Sequence, residues 1–279
     1  MSKVAILRWN WEPAGPVVTG YSQNLAEAAG EIERGQRNVI NLQTRDAGGE
    51  LGPSFLATSV KGVFRSAAAW LVERAAREAG AQSYVTCDYG LAVPASWRSR
   101  LGVRKRAGLC PVCCVFGGSG CLGESDVAPA TRLKSRVDFG FNRRDDAAHG
   151  STDKSPPYRF AWEQVAKTGK KLVVEQLRFE PDTLLEARIE PADDFALALL
   201  LLAGDLAGSG FFRFGRFTTR GYGVVRLFPL EYFYGGLMDL LAAETTPFTK
   251  LAGHSSGKLA FEGIVEGSTA SSVITLHIA

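Results

Sequence analysis

Apolar positions along the chain fall into two rhythms, one of strands and one of helices. Val4 to Trp9 is an apolar run that predicts a first strand, and Val39 to Leu42 predicts a short one. The clearest helix is predicted from about Thr58 to Ala79, where Val60, Val63, Phe64, Ala67 and Leu71 recur on one face. Thr58 or Ser59 can cap its start, and Gly80 stands past its end. Leu133 to Phe141 alternates basic and apolar residues and reads as a strand. Phe160 to Val165 and Lys171 to Leu177 read as the arms of a long hairpin around Lys167-Thr168-Gly169-Lys170, and Leu184 to Ile189 reads as a further strand. Pro191-Ala192-Asp193-Asp194 opens a helix over Phe195 to Leu206, with proline and acids where the helix dipole favours them. A glycine-rich turn from Gly208 then feeds a strand ending near Leu227, Leu237 to Ala242 predicts a short helix, and Val273 to Ile278 a closing strand.

Strands and two long helices in this order fit an α+β sandwich of the ferredoxin-like or RRM-like kind. We expect one domain over residues 1–279 with three additions: a Cys-rich insertion at 81–127, a polar loop and hairpin at 142–180, and a C-terminal extension at 235–279. With 279 residues, 46% hydrophobic and 22% charged, the composition is that of a globular chain with a sizeable core. No apolar run reaches the ~18 residues a membrane span needs. Met1 to Trp9 reads as a strand and not a leader, so the expectation is a cytoplasmic protein with reduced thiols and no membrane partner.

Net charge is only +3, but its arrangement changes the picture. From Tyr89 to Gly123 there is no Asp or Glu, while Arg98, Arg100, Arg104, Lys105 and Arg106 fall inside that stretch. Four of the five cysteines lie between Cys110 and Cys121. Cys110 and Cys113, three apart on a tight knuckle, can bind one tetrahedral zinc, with Cys121 as third ligand and Cys87 as fourth. Four thiolates leave no open position, so such a zinc is structural. The other reading is a set of buried free thiols.

Three further groups carry possible chemistry. In Gly215-Arg216-Phe217-Thr218-Thr219-Arg220-Gly221-Tyr222-Gly223, glycines expose backbone N–H groups, Arg216 and Arg220 supply charge, and Tyr222 can stack on a base. The same residues also describe a plain tight turn entering a strand. Lys61 and Arg65 share one side of the first turns of the long helix, which suits a phosphate or a solvated face. The histidines, His149 in the polar loop and His254 and His277 near the end, form no catalytic spacing with a Ser, Cys or Asp.

Taken together, the motifs resemble the RAMP superfamily of CRISPR systems. Ser59-Val60-Lys61-Gly62-Val63-Phe64-Arg65-Ser66 resembles its S-x-K-G-x-x-R helix start. Cys110 to Gly117 followed by Glu124-Ser125-Asp126-Val127 resembles its C-P-V-C-x-L-F-G segment and the S-D-A after it, and Thr219 to Val225 its glycine-rich loop. The motifs come in the family's order, and the backbone subunits of type III effector complexes, of the Csm/Cmr kind, look most similar. The resemblance implies an RRM-like palm that holds a guide RNA through Ser59, Lys61, Gly62, Arg65 and the loop with Arg220, Gly221, Tyr222 and Gly223. It implies a thumb-like hairpin whose Tyr158, Phe160 or Trp162 wedges between nucleotides of a guide–target duplex. Implied partners are the CRISPR guide RNA, target RNA, other RAMP subunits and the large subunit.

The catalytic backbone subunits carry an Asp in the N-terminal loop before a short Val/Ile strand. Here Glu33-Arg34-Gly35-Gln36-Arg37-Asn38 precede Val39, and no Asp stands there. The expectation is therefore a non-cutting subunit. The alternative is a target-RNA endoribonuclease using Glu33 or Asp46, or a guide-processing nuclease using His149.

Overall fold

A computed structural model describes residues 3–18, 43–45, 51–53, 57–78, 86, 111–121, 131–144, 158–167, 170–215, 218–242 and 248–251. The predicted strands at 39–42 and 273–278 lie outside these residues.

The palm is a five-stranded antiparallel sheet. Its members are β1 (Lys3–Pro13), β6 (Val137–Arg143), β9 (Thr183–Ile189), β10 (Val225–Gly236) and β11 (Thr249–Lys250), in the order β11-β10-β1-β9-β6. Helix α1 (Ala57–Glu78) follows β1, and α3 (Asp194–Gly208) follows β9. Without the two-residue edge strand β11, this is the β-α-β-β-α-β order of the ferredoxin-like motif. The chain is thus mixed α+β.

Strand alternation decides what the sheet faces. Ala5, Leu7, Trp9 and Trp11 of β1 are buried in one cluster with α1 and α3. The intervening Val4 and Ile6 point the other way and pack with Phe233 against Leu237 and Leu240 of α4 (Leu237–Ala242) and against Phe248. Further along that outer face, Arg8 ion-pairs Glu186 of β9 at 2.8 Å and Glu231 of β10 at 3.0 Å. The Phe248 ring covers it at 3.9 Å. The outer face at this level is an ion-pair row under an aromatic cap.

Helix α1 buries Val60, Phe64, Ala67, Ala68, Leu71 and Val72, close to the predicted stripe. Helix α3 is apolar almost all round because it is packed on most sides, with Leu199 to Leu202 all buried. Asp193 caps its start, accepting the Ala196 N–H at 2.7 Å, so the expected acids do stand at the helix start while Pro191 lies before the cap. Gly204 lets α3 lie directly on Trp9, since a Cβ there would stand 2.8 Å from the indole Nε1.

Segments outside the sheet and its two helices carry their own short elements. Within 81–127 the structure describes a helix, α2 (Pro111–Phe116), and β4 (Gly118–Cys121), which pairs with β5 (Thr131–Leu133). The predicted single strand from Leu133 to Phe141 is therefore two strands, broken at residues 134–136, where Arg136 N–H donates to the Val115 carbonyl. Strands β2 (Gln43–Arg45) and β3 (Leu51–Pro53) form a small separate pair. Strands β7 (Tyr158–Lys167) and β8 (Lys170–Phe179) form the predicted long hairpin, paired in register from Tyr158↔Phe179 to Lys167↔Lys170. Its base is tied to the palm: Leu177 N–H donates to the Val17 carbonyl at 2.8 Å, and the Phe179 ring lies 5.2 Å from Trp11.

Candidate nucleic-acid interface

The start of α1 places Ser59, Lys61, Gly62 and Arg65 within two turns of helix. Lys61 is half-buried, and its pKa is lowered, chiefly by that burial. Asp138 on β6 opposes the shift and Arg65 adds to it. A partly desolvated ammonium gains more from an anion than a fully hydrated one. Beside it, Gly62 faces open space, with nothing within 4 Å of where a Cβ would stand. A glycine inside a helix costs about 1 kcal/mol relative to alanine. No packing among the described residues accounts for it, and the missing Cβ leaves the spot open to close approach.

Arg65 faces inward. Its Nη1 donates to the Gly117 carbonyl, and its Nη2 lies 3.2 Å from Cys113 Sγ. Cys113 is fully buried in α2, and Gly117 turns the chain into β4 with φ 76. The guanidinium therefore braces α1 against α2 and the turn after it.

The glycine loop is sewn to the segment after β1. Gly223 N–H donates to Pro16 O at 2.7 Å, Ala14 N–H to Val224 O at 2.9 Å, and Phe214 N–H to Gly223 O at 2.8 Å. Two of its glycines are dictated by this stitching. A Cβ on Gly215 would sit 2.3 Å from Val18 O, and one on Gly223 would sit 2.0 Å from Phe214 O. Gly221 is different: it is exposed, has φ +91, and its Cβ would meet nothing within 4 Å. Tyr222 beside it is half-buried. Thr218–Arg220 form a single 3-10 turn, and Arg213 Nη1 donates to the Thr218 carbonyl at 2.7 Å. The loop thus presents the backbone around Gly221 on its outside while Gly215 and Gly223 hold its inside together.

The two places are well separated. Phe64 of α1 packs 4.8 Å from Phe139, which is level through Ala187 with Leu7 of β1. The loop instead enters β10 at Val225, opposite Pro13 at the far end of β1. Phe139 and Val225 are then about 20 Å apart along the strands and about 14 Å apart across them. A ligand touching both must be extended.

Other expected site residues are placed only by backbone or lie elsewhere. Tyr158, Phe160 and Trp162 are on β7, Cys121 ends β4, and Arg220 ends the 3-10 turn. Glu33, Asp46, His149, Cys87, Cys110, Arg104, Lys105, Arg106 and Arg216 lie outside the described residues. Among the described residues no three His, Cys, Asp or Glu side chains converge as a metal would require. The one ligand candidate whose side chain is described, Cys113, suits the part: it is buried, and its sulfur faces a cationic N–H donor, as a thiolate does.

Sequence reasoning does not single out Phe211, which is 67% exposed beside Trp70. The signal present is three phenylalanines within four residues, Phe211, Phe212 and Phe214, more than a short loop can bury.

The sequence model of the RAMP superfamily matches residues 16–226. No curated protein matches the chain. Among solved structures, a chain of a Type IV-B CRISPR complex is similar at 12% identity and TM-score 0.45, covering 92% of this chain and 97% of that one. Csc2 from Thermofilum pendens is similar at 17% identity and TM-score 0.42, covering 96% of this chain and 77% of that one.

Proposed function

The chain belongs to the RAMP superfamily, and from that premise we propose that it is a guide-RNA-binding backbone subunit of a CRISPR effector ribonucleoprotein, of the type III kind. In this reading the palm holds the guide backbone at two places, the start of α1 and the glycine loop. The observation that carries it is Gly62 next to Lys61: a helical glycine with open space on its outside, beside a half-buried cation. A sugar–phosphate backbone can approach such a spot closely and neutralise the ammonium. Gly221, exposed and open in the same way, supplies the second contact. The distance between the two suits one extended single strand.

The sheet's outer face does not take part in this scheme. RRM domains stack bases on aromatics of that face. Here Arg8, Glu186 and Glu231 fill the centre with paired charge under Phe248. RNA is held at the rim of the palm instead.

In the same reading, Cys110, Cys113, Cys121 and Cys87 hold a structural zinc that braces the insertion, with Arg65 behind Cys113. The β7–β8 hairpin serves as the thumb, other RAMP subunits and the large subunit are neighbours, and target RNA pairs along the guide. This copy does not cut, since Glu33 to Asn38 bring no Asp before Val39.

Fluorescence anisotropy of a labelled single-stranded RNA with the full chain tests the central claim. We expect tight binding whose logarithm falls linearly with the logarithm of salt. Lys61→Ala weakens it without base preference and lowers the slope by about one. Binding with no salt dependence, or a Lys61→Ala variant equal to the parent at every salt, rejects the reading.

A further inference from the structure

Where α1 meets the start of the glycine loop, aromatic rings and a guanidinium gather on the surface. The Phe211 ring lies 5.9 Å from Trp70 and 5.2 Å from Phe212, and it is 67% exposed. Arg74 sits over the Trp70 ring at 5.3 Å and ion-pairs Glu78. The loop has the means to bury phenylalanine: Phe214 is fully buried against Trp11, and Phe212 packs on the core. Gly210, at φ +82, turns the chain so that Phe211 faces out. Its exposure forgoes burial that its neighbours obtain.

The size and chemistry of the patch favour a flat ligand. A stable protein partner covers about 800 Å² on each side, whereas among the described residues this patch offers little more than one exposed ring with a half-buried indole behind it. Aromatic faces beside guanidinium planes are surfaces on which unpaired nucleobases stack. Arg213, two residues on and exposed, adds a cation to the same loop while donating to the Thr218 carbonyl.

We propose that Phe211, backed by Trp70, is a stacking platform for one unpaired nucleobase of a bound single-stranded RNA. The inference rests on the RNA-binding reading above and adds to it a contact outside the glycine and lysine motifs. Stacking accepts any base, so the platform fixes the strand's position and does not read sequence.

The test uses the full chain and single-stranded RNA carrying 2-aminopurine at successive positions. One position is expected to lose fluorescence on binding, because a stacked 2-aminopurine is quenched. Phe211→Ala should abolish that quench and weaken binding about tenfold, with the salt slope unchanged because no phosphate contact is lost. Phe211→Trp should keep both, and Phe211→Leu, which retains apolar bulk without a flat face, should behave like the alanine variant. Parent and Phe211→Ala proteins binding alike, with no quenched position, overturns the platform and leaves RNA binding standing. A parent that binds no RNA overturns both. A drop in sedimentation coefficient of the RNA-free chain on Phe211→Ala also overturns the platform, by showing that the patch is a contact between copies.

Discussion

Arg65 Nη2 lies 3.2 Å from Cys113 Sγ, across the gap between α1 and α2. The same guanidinium holds the Gly117 carbonyl, so its donors toward α2 are already engaged. Lys61, four residues earlier on the same side of the helix, has no such partner among the described residues beyond the pull of Asp138. The two cations of one motif thus do different work.

Arg65→Ala is expected to cost about 2 to 3 kcal/mol, since charge-assisted hydrogen bonds are lost and a buried carbonyl and sulfur are left behind. It should also lower the zinc retained after dialysis against a chelator, measured by metal analysis, while leaving the salt slope of RNA binding as it was. A slope reduced as much as by Lys61→Ala would instead place Arg65 on a phosphate. Protein purified without any zinc would remove the knuckle from the scheme.

Gly62→Ala separates stability from binding. The open space around Gly62 accepts a methyl group, so the free chain should gain about 0.8 to 1 kcal/mol. RNA affinity should fall in the same variant, because the methyl group stands where the backbone of the ligand approaches. Denaturant melts and anisotropy on one preparation check both halves, and a variant that is more stable and binds equally well would leave Gly62 unexplained.

The glycine loop should divide in the same manner. Gly223→Ala places a Cβ 2.0 Å from Phe214 O at positive φ, and we expect a loss of about 3 kcal/mol or more. Gly221→Ala meets no neighbour and pays only the conformational penalty, about 1 kcal/mol. Thermal melts of the two variants should differ accordingly, with the RNA defect larger than the stability defect only for Gly221.

Periodicity was sufficient for much of the palm, because strands and helices that pack on one another must alternate in the ways the sequence shows; it did not carry β10, which runs on to Gly236 past the strand expected to end near Leu227. The α1 stripe, the Asp193 cap and the β7–β8 hairpin follow from residue spacing alone. What spacing does not carry is which side of a motif faces inward. Lys61 and Arg65 look equivalent on a helical wheel, and only the position of α2 turns one of them into a brace. Likewise Gly215, Gly221 and Gly223 are alike in sequence, and only their distances to Val18 and Phe214 tell a packing glycine from an open one. The break between β5 and β6 was hidden because residues 134–136 continue an apolar and basic alternation while bonding to α2.

Asp205 offers a pH readout of the core. It lies in the last turn of α3, where burial pushes its pKa up to about 6. A carboxyl with a raised pKa contributes its full stability below the unfolded value near 4 and loses it as pH rises through about 6. Asp205→Asn should therefore leave the melting point unchanged at pH 4 and raise stability by about 2 kcal/mol at pH 7.5. Equal curves for both proteins from pH 4 to 8 would contradict the burial of this carboxylate.

Cleavage has a direct check. With guide RNA and neighbouring subunits assembled, a matching target RNA should be cut no less when this chain carries Glu33→Ala, Asp46→Ala or His149→Ala. Loss of one cut with one of these variants would make the chain an endoribonuclease.

The pairing of β1 with β10 has a consequence for how the chain is made. Lys3 pairs with Gly236 across these strands, and its ammonium reaches diagonally to the Tyr234 hydroxyl, 231 residues further along the chain. The central strand of the palm, with two buried tryptophans, therefore leaves the ribosome long before either of its neighbours exists. Until β9 and then β10 are synthesised, its apolar face and both its edges are open to wrong partners. So high a contact order predicts slow completion of the palm and a newly made chain that depends on chaperones, or on early capture by its assembly, to stay unaggregated.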